Sequence, residues 1–135
     1  MKLATYVLVT TAISLAPACG PRPGHGWSRV SPGAFAAELA SPRGMGTEPA
    51  VVVDVREPEL FRKGHIPGAL NLPWPDAKRR APAELDPARA VVLVCHSGPM
   101  GDELAAILAR RGFRNVRNVA GGMAAWRGPV VKGGS

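Results

Sequence analysis

The stretch VVLVCHSGPMG, residues 91–101, decides the fold and contains the most chemically informative residue of the chain, Cys95. Its first four residues are aliphatic without a polar interruption, which is typical of a strand buried on both faces of a parallel sheet. From Met100 to Arg111, apolar residues recur at helical spacing, and Asp102 and Glu103 occupy the first turn, where the helix dipole favours acids. The stretch therefore predicts a strand, a tight loop and a helix.

The predicted loop places Cys95 in front of a helix N-terminus. Backbone N–H groups and the positive end of the helix dipole converge there and stabilise anions. This environment favours the thiolate, which is the nucleophilic form of cysteine. The alternative is that Cys95 is a small apolar residue that closes a strand, as free cysteines often are. The order strand, Cys, Ser, Gly, helix favours the reactive thiol.

The composition predicts one folded domain. A length of 135 residues suffices for one core, and 46% hydrophobic residues argue against disorder. The formal charge of +7 is spread along the chain, and its densest run is only Lys78-Arg79-Arg80. Because no aromatic residues are interleaved with this run, we expect a solvated basic face that attracts small anions and no nucleic-acid partner.

The N-terminal segment, residues 1–18, has the pattern of an export signal. Lys2 gives a basic start, residues 3–15 are apolar apart from Thr and Ser, and Ala16-Pro17-Ala18 is a small-x-small cleavage site. The apolar run is shorter than the ~20 residues that a spanning helix needs. Residues 19–26 then form a Gly/Pro-rich tether. We expect an exported protein of the periplasm or cell envelope.

Cleavage after Ala18 leaves Cys19 as the first residue, which resembles a bacterial lipoprotein signal and implies lipidation of Cys19 and attachment to a membrane. The sequence departs from that pattern because Ala16 and Pro17 stand where a lipobox has Leu and no proline. Ordinary cleavage without a lipid is the alternative. Without the lipid, Cys19 could pair with Cys95; with it, Cys95 is a lone thiol.

Two segments before the Cys95 stretch predict further elements. Residues 27–30 read as a short edge strand, and Ser31-Pro32 gives an N-cap and a proline at the first helical position. Phe35 and Leu39 supply the apolar face of that helix. Residues 50–55 read as a second buried strand that ends at Asp54.

Two longer motifs resemble the rhodanese family. The first is DVREPELFRKGHIPGALNLP, residues 54–73, and the second is GGMAAW, residues 121–126. Members of the family carry an Asp-x-Arg turn, then Gly-His-Ile-Pro-Gly-Ala, and a closing Gly-Gly-x-x-x-Trp helix. With the Cys95 loop, the resemblance extends from Trp27 to Trp126. It indicates a rhodanese-like domain over residues 27–128, with a flexible tail over 129–135.

The resemblance implies an α/β fold: a single, doubly wound domain with a small parallel sheet and helices on both faces. The strands are expected near residues 27–30, 50–55, 69–72, 91–95 and 116–119. Within the first motif, His65 is interpreted as part of a structural turn and Asp54 as a buried hydrogen-bonding post. Neither is expected to act in catalysis.

The resemblance also implies sulfur transfer. Family members take a sulfane sulfur from a donor such as thiosulfate, hold it on the cysteine as a persulfide, and pass it to cyanide or a thiol. Cys95 is the matching position. The residues expected to bind the small anionic donor are His96, Ser97, Gly98, Met100, Gly101 and Arg56. No cofactor is implied, and the cysteines and histidines lack the spacing of a metal site.

The loop departs from the family pattern Cys-x-x-Gly-x-Arg. Met100 stands where the arginine attracts the donor, and Pro99 has no N–H. Losing one charged hydrogen bond weakens anion binding roughly tenfold to a hundredfold, so we expect weak use of thiosulfate. Arg56 or protonated His96 are candidates to replace the missing cation. Met100 alternatively suits an uncharged or peptide-borne polysulfide.

Two other functions were weighed. The arsenate reductases and phosphatases related to rhodaneses need a longer loop, Cys-x5-Arg, and the position of that arginine is Gly101. This argues against oxyanion chemistry. The second is a non-catalytic module that binds a partner or senses persulfides and oxidants with the same loop. The missing arginine favours it, whereas the retained Cys95 favours catalysis.

Overall fold

A computed structural model describes residues 26–41 and 48–134. The predicted export signal, most of the predicted tether and Cys19 lie outside the described residues. Within the described part, no helix has the length and apolar character needed to cross a membrane.

Five parallel strands form one sheet in the order β1-β5-β4-β2-β3. The strands are β1 (Ser28–Val30), β2 (Val51–Asp54), β3 (Leu70–Asn71), β4 (Val91–Val94) and β5 (Val116–Val119). β4 lies in the middle, and all four of its residues are buried, as the uninterrupted aliphatic run predicts. β1 is at one edge, also as predicted. The α/β class with a small parallel sheet is confirmed.

The helices are α1 (Pro32–Ala40), α2 (Pro58–Lys63), α3 (Ala77–Glu84), α4 (Pro99–Arg110) and α5 (Gly122–Ala125). The side chains of β4 alternate between two apolar clusters, one on each face of the sheet. Leu93 joins Leu104 and Leu108 of α4, whereas Val92 and Val94 join Phe35 of α1 and Trp126. Helices therefore cover both faces, as predicted. Cys95 belongs to the cluster on the α4 side.

Helix starts follow the local sequence. The Ser31 hydroxyl accepts a hydrogen bond from Ala34 N–H at 3.2 Å, and Pro32 is the first helical residue, as predicted. α4 begins at Pro99, so that Met100 lies in the helix and Asp102 in its first turn, as predicted. A proline suits this first position because its missing N–H has no helical partner there.

α3 is a helix that the sequence analysis did not predict. Only Ala77 and Ala81, one helical turn apart, are buried, and Pro82 lies inside the helix. Small alanines and an internal proline hide the helical period from pattern analysis. Lys78 and Arg79 are exposed on its outer side, which agrees with the predicted solvated basic face.

The predicted flexible tail is hydrogen-bonded to the domain as far as the structure describes it, through residue 134. Val131 and His65 exchange two backbone hydrogen bonds, of 2.9 and 3.0 Å, and Gly133 N–H donates to Arg62. His65 is buried, its Nδ1 lies 2.8 Å from the Phe61 carbonyl oxygen, and its ring stacks on Phe61. These contacts agree with the structural role predicted for His65.

Candidate functional site

Cys95 immediately follows β4, at the carboxyl end of the central strand. Its side chain is fully buried, and the Gly98 N–H donates a hydrogen bond to Sγ at 2.9 Å. Gly98 has a φ of 127°, a conformation that favours glycine. The chain therefore curls over the sulfur before α4 begins, and a donor group points at the thiol.

The glycine pair of the second motif holds the first half of the loop. Met123 N–H donates to the Cys95 carbonyl at 2.8 Å, and Ala124 N–H donates to the His96 carbonyl at 2.9 Å. A Cβ on Gly122 would overlap the Cys95 carbonyl oxygen. Only a glycine lets α5 approach this closely, which gives the Gly-Gly-x-x-x-Trp motif a physical reason.

Several backbone donors of the loop are available to a ligand. Within residues 26–41 and 48–134, the N–H groups of His96, Ser97, Met100 and Gly101 donate to no acceptor. The last two belong to the first turn of α4, where N–H groups have no helical partner. Together with the Gly98 N–H, they form a set of donors suited to an anion at the sulfur.

The second half of the loop is held by Asn118, at the carboxyl end of β5. Its Nδ2 donates to the Gly98 carbonyl at 2.9 Å and to Asp102 Oδ1 at 2.8 Å. Arg29 of β1 binds the same carboxylate with Nε and Nη2, at 3.2 and 2.6 Å. Hydrogen bonds from Arg29, and then from Asn118, lower the pKa of Asp102 despite partial desolvation.

Arg56 forms a buried ion pair with Asp54. Nη2 lies 2.6 Å from Asp54 Oδ2, Nε contacts both carboxylate oxygens, and Nη2 also donates to the Gly64 carbonyl at 2.8 Å. The Arg56 backbone N–H donates to Asp54 Oδ1 as well. Asp54 is therefore the buried hydrogen-bonding post that was predicted. The Asp54 carboxylate neutralises the Arg56 charge.

Two shallow cavities beside the loop are lined by four of the predicted site residues, two in each. The first, of about 280 Å³, is called the His96 cavity; its lining residues are Arg56, Leu60, Lys63, Gly64, His96, Met123 and Ala124. The second, of about 290 Å³, lies on the other side of the loop and includes Ser97, Gly98 and Asn118. Met100 is half-buried against the core, and Gly101 is buried.

The structure thus brings His96, Ser97, Gly98, Met100 and Gly101 around Cys95, while Arg56 only lines the neighbouring cavity. Sequence reasoning missed Lys63, an exposed cation of the His96 cavity that pairs with no acid in the described part of the chain. It also missed Asn118, although a polar residue inside the run Val116–Val119 was a usable signal.

Among the described residues, no group of three or more His, Cys, Asp or Glu side chains is arranged to bind a metal ion.

Comparison with known proteins identifies relatives of the chain. It is 38% identical to the putative sulfur carrier protein YrkF of Bacillus subtilis over 77 residues. These residues make up 57% of this chain and 41% of that protein. It is 41% identical over 83 residues to the thiosulfate sulfurtransferase GlpE of Pseudomonas entomophila, 59% of this chain and 72% of that protein. The match thus spans about two fifths of YrkF.

A solved structure shares the fold. The crystal structure of the Alr3790 protein from Anabaena sp. superposes with a TM-score of 0.66 at 25% identity, covering 76% of this chain and 81% of that chain. Residues 36–129 match the family described as Rhodanese-like domain. These residues include the Cys95 loop and both longer motifs, so the chain belongs to the rhodanese-like domain family.

Proposed function

We propose that the protein is a sulfurtransferase that carries a sulfane sulfur on Cys95 as a persulfide. The observation that carries the proposal is the Cys95 sulfur, which accepts a hydrogen bond from the Gly98 N–H. In the same loop, four further N–H groups, those of His96, Ser97, Met100 and Gly101, have no acceptor among the described residues. Such donors stabilise both a thiolate and an anionic persulfide. The relatives named as sulfurtransferases, such as the GlpE protein, support this reaction class.

The reaction has two half-reactions that pass through the same sulfur. The Cys95 thiolate attacks the sulfane sulfur of the donor, a new S–S bond forms, and the S–S bond of the donor breaks. With thiosulfate, sulfite leaves with the electron pair; with a polysulfide, the shortened polysulfide leaves. A thiolate or cyanide acceptor then attacks the outer sulfur and releases the Cys95 thiolate.

The charges around the loop favour an uncharged or peptide-borne polysulfide over the thiosulfate dianion as donor. Met100 carries no charge, Pro99 has no N–H, and the Arg56 guanidinium is already bound by Asp54. Lys63 is the cation of the His96 cavity that has no acidic partner in the described residues. An exposed, mobile ammonium binds a dianion less specifically than the planar fork of an arginine. We therefore expect slow loading by thiosulfate.

The test is intact-mass spectrometry of the reduced chain from Trp27 onward, which lacks the second thiol at Cys19, after incubation with thiosulfate or with an uncharged or peptide-borne polysulfide. We expect each donor to add one sulfur atom, faster with polysulfide, and we expect no addition to Cys95→Ser. Met100→Arg should speed loading by thiosulfate roughly tenfold to a hundredfold and change polysulfide loading little. If neither donor loads the free thiol, sulfur transfer is wrong, and a non-catalytic module that binds a partner with the same loop becomes the better hypothesis.

The place of this reaction is a second part of the proposal. The basic start, apolar run and small-x-small site of residues 1–18 support export to the periplasm or cell envelope, with a lipid on Cys19. Mass spectrometry of the N-terminal peptide of the mature protein tests this. We expect a peptide that begins with an acylated Cys19; an unmodified Cys19 would contradict the lipid anchor, and an intact Met1 would contradict export.

A further inference from the structure

We propose that Asn118 is a positioning residue for the reactive thiol, because it holds Gly98 in the orientation that points its N–H at Cys95 Sγ. This inference rests on the proposed function only in that Cys95 is the reacting group. Asn118 does not touch the sulfur. It acts through Gly98, whose carbonyl accepts from Asn118 and whose N–H donates to Cys95 Sγ.

The geometry links the two residues in one step. The Gly98 carbonyl accepts from Asn118 Nδ2 at 2.9 Å and from the Asp102 N–H at 3.0 Å, while the Gly98 N–H donates to Sγ at 2.9 Å. Glycine rotates freely about its backbone, and Gly98 has a positive φ. Without the asparagine, one of the two bonds that fix its carbonyl is lost, and the N–H is free to turn away from the sulfur.

Asn118 is buried although a buried polar side chain destabilises a fold, which indicates that its contact with Gly98 has a role of its own. The side chain is fully buried, and its Oδ1 accepts no hydrogen bond from the described residues. A buried amide with an unsatisfied acceptor destabilises the fold relative to a satisfied one. An apolar residue would fit a buried position of β5 without that cost, so packing alone does not explain an asparagine here.

Gly101 shows how closely the amide is fitted against the loop. A Cβ at this position would overlap Oδ1, Cγ and Nδ2 of Asn118. Gly101 lies in the first turn of α4, where alanine would otherwise be the better helix former. The glycine therefore makes room for the asparagine, and a single added methyl group can displace the amide without removing it.

The other acceptor of Asn118 anchors the amide from the far side. Asp102 Oδ1 accepts from Nδ2 at 2.8 Å, and Arg29 holds the same carboxylate with two hydrogen bonds. With Nδ2 shared between the Asp102 carboxylate and the Gly98 carbonyl, the amide has one orientation that satisfies both acceptors. The loop is thereby tied to β5 and, through Arg29, to β1.

The first experiment compares the alkylation of Cys95 in the full-length protein and in Asn118→Ala over a range of pH. The reagent is iodoacetamide, and the rate is followed by the mass of the peptide that contains Cys95, which separates it from Cys19. We expect the alkylation rate at pH 7 to fall by roughly tenfold, with the pH profile displaced to higher pH. A loosened loop alone would raise the rate through better access and would leave the profile in place.

Asn71→Ala is the matched control. Asn71 Nδ2 also donates two hydrogen bonds to the backbone, at the Asp54 and Arg56 carbonyls, but none to the Cys95 loop. We expect its rate and pH profile to match those of the wild type. If Asn118→Ala alkylates like the wild type, or if Asn71→Ala is displaced as far, the positioning role is wrong.

Gly101→Ala tests the same contact with Asn118 present. In the wild-type background, the methyl group displaces the amide, and we expect slower alkylation at pH 7. In the Asn118→Ala background the space is empty, and adding Gly101→Ala should change the rate less than twofold. Equal effects in both backgrounds would contradict the inference, and Gly101→Ala also serves where Asn118→Ala fails to fold.

The two proposals fail separately. If the wild type takes up no sulfur but Asn118→Ala still displaces the alkylation profile, the sulfurtransferase function is wrong and the positioning role remains. If the wild type takes up sulfur and Asn118→Ala alkylates like the wild type, the sulfurtransferase function remains and the positioning role is wrong.

Discussion

Asn71 and Asn118 occupy similar places in the sheet and brace different structures. Each lies at or near the carboxyl end of a parallel strand, and each donates twice through Nδ2. Asn71, on the edge strand β3, holds the turn between β2 and α2 by the Asp54 and Arg56 carbonyls. Asn118, on β5 next to the central strand, holds the Cys95 loop by Gly98 and Asp102.

The difference teaches that strand position, more than residue type, decides what such a side chain does. β5 pairs directly with β4, with Leu93 opposite Asn118, so its carboxyl end adjoins the loop that follows β4. β3 pairs only with β2 and reaches the turn that holds the Asp54–Arg56 pair. One asparagine therefore supports a structural ion pair, and the other supports the reactive loop.

The largest expected effect comes from breaking the ion pair on the Asn71 side. Asp54→Ala leaves the Arg56 guanidinium buried and unpaired, which costs about 3–5 kcal/mol. We expect a correspondingly lower midpoint of urea unfolding, with the alkylation rate of Cys95 in the folded protein unchanged. A loss below about 1 kcal/mol would mean that the pair behaves like an exposed one, and slower alkylation would mean that this side also supports the loop.

A smaller effect distinguishes the two asparagines: only for one of them should the loss of unfolding free energy on substitution by alanine depend on pH. At pH 7, we expect Asn71→Ala and Asn118→Ala each to lower the free energy of unfolding by about 1–3 kcal/mol, because each removes two hydrogen bonds. The acceptors of Asn71 are both carbonyls, which do not titrate. One acceptor of Asn118 is the Asp102 carboxylate, whose pKa is held below its ordinary value of 3.8 mainly by the hydrogen bonds from Arg29.

The sign of the pH dependence follows from this lowered pKa. A carboxyl whose pKa is lower in the folded state stabilises the fold above its unfolded-state pKa, and this is lost as the pH falls through the folded-state value. The cost of Asn118→Ala should therefore shrink below about pH 4, while the cost of Asn71→Ala stays constant. Urea unfolding between pH 7 and 3 measures both. If the two substitutions lower the free energy of unfolding by a constant difference at every pH, the hydrogen bond between Asn118 and Asp102 contributes nothing to stability.

Much of the fold could be predicted because local patterns and tertiary structure agree. The aliphatic runs that end at Asp54 and Val94 became buried strands, and Ser31-Pro32 began a helix. α3 escaped prediction because its buried face consists of two alanines, beside an internal Pro82. The start of α4 at Pro99 was readable from the rule that proline favours the first helical position.

The site was less predictable because its contacts cross between strands. The Cys95 loop is local and could be read directly. Arg56 was a candidate donor cation, yet an aspartate two residues earlier commonly hydrogen-bonds the backbone of such a turn, which is a sign that Asp54 would pair with it. The contact of Asn118 with Gly98 depends on the pairing of β4 with β5, which no local pattern specifies.

The complete burial of Cys95 has a consequence for how the carried sulfur atom is protected and transferred. In the resting protein, no part of this residue is open to solvent, which shields the thiol from bulky oxidants and stray disulfides. A persulfide would add one S–S bond, about 2.05 Å long, beyond Sγ. On the proposed function, the acceptor attacks this outer sulfur, and its transfer leaves Cys95 again as a buried thiol.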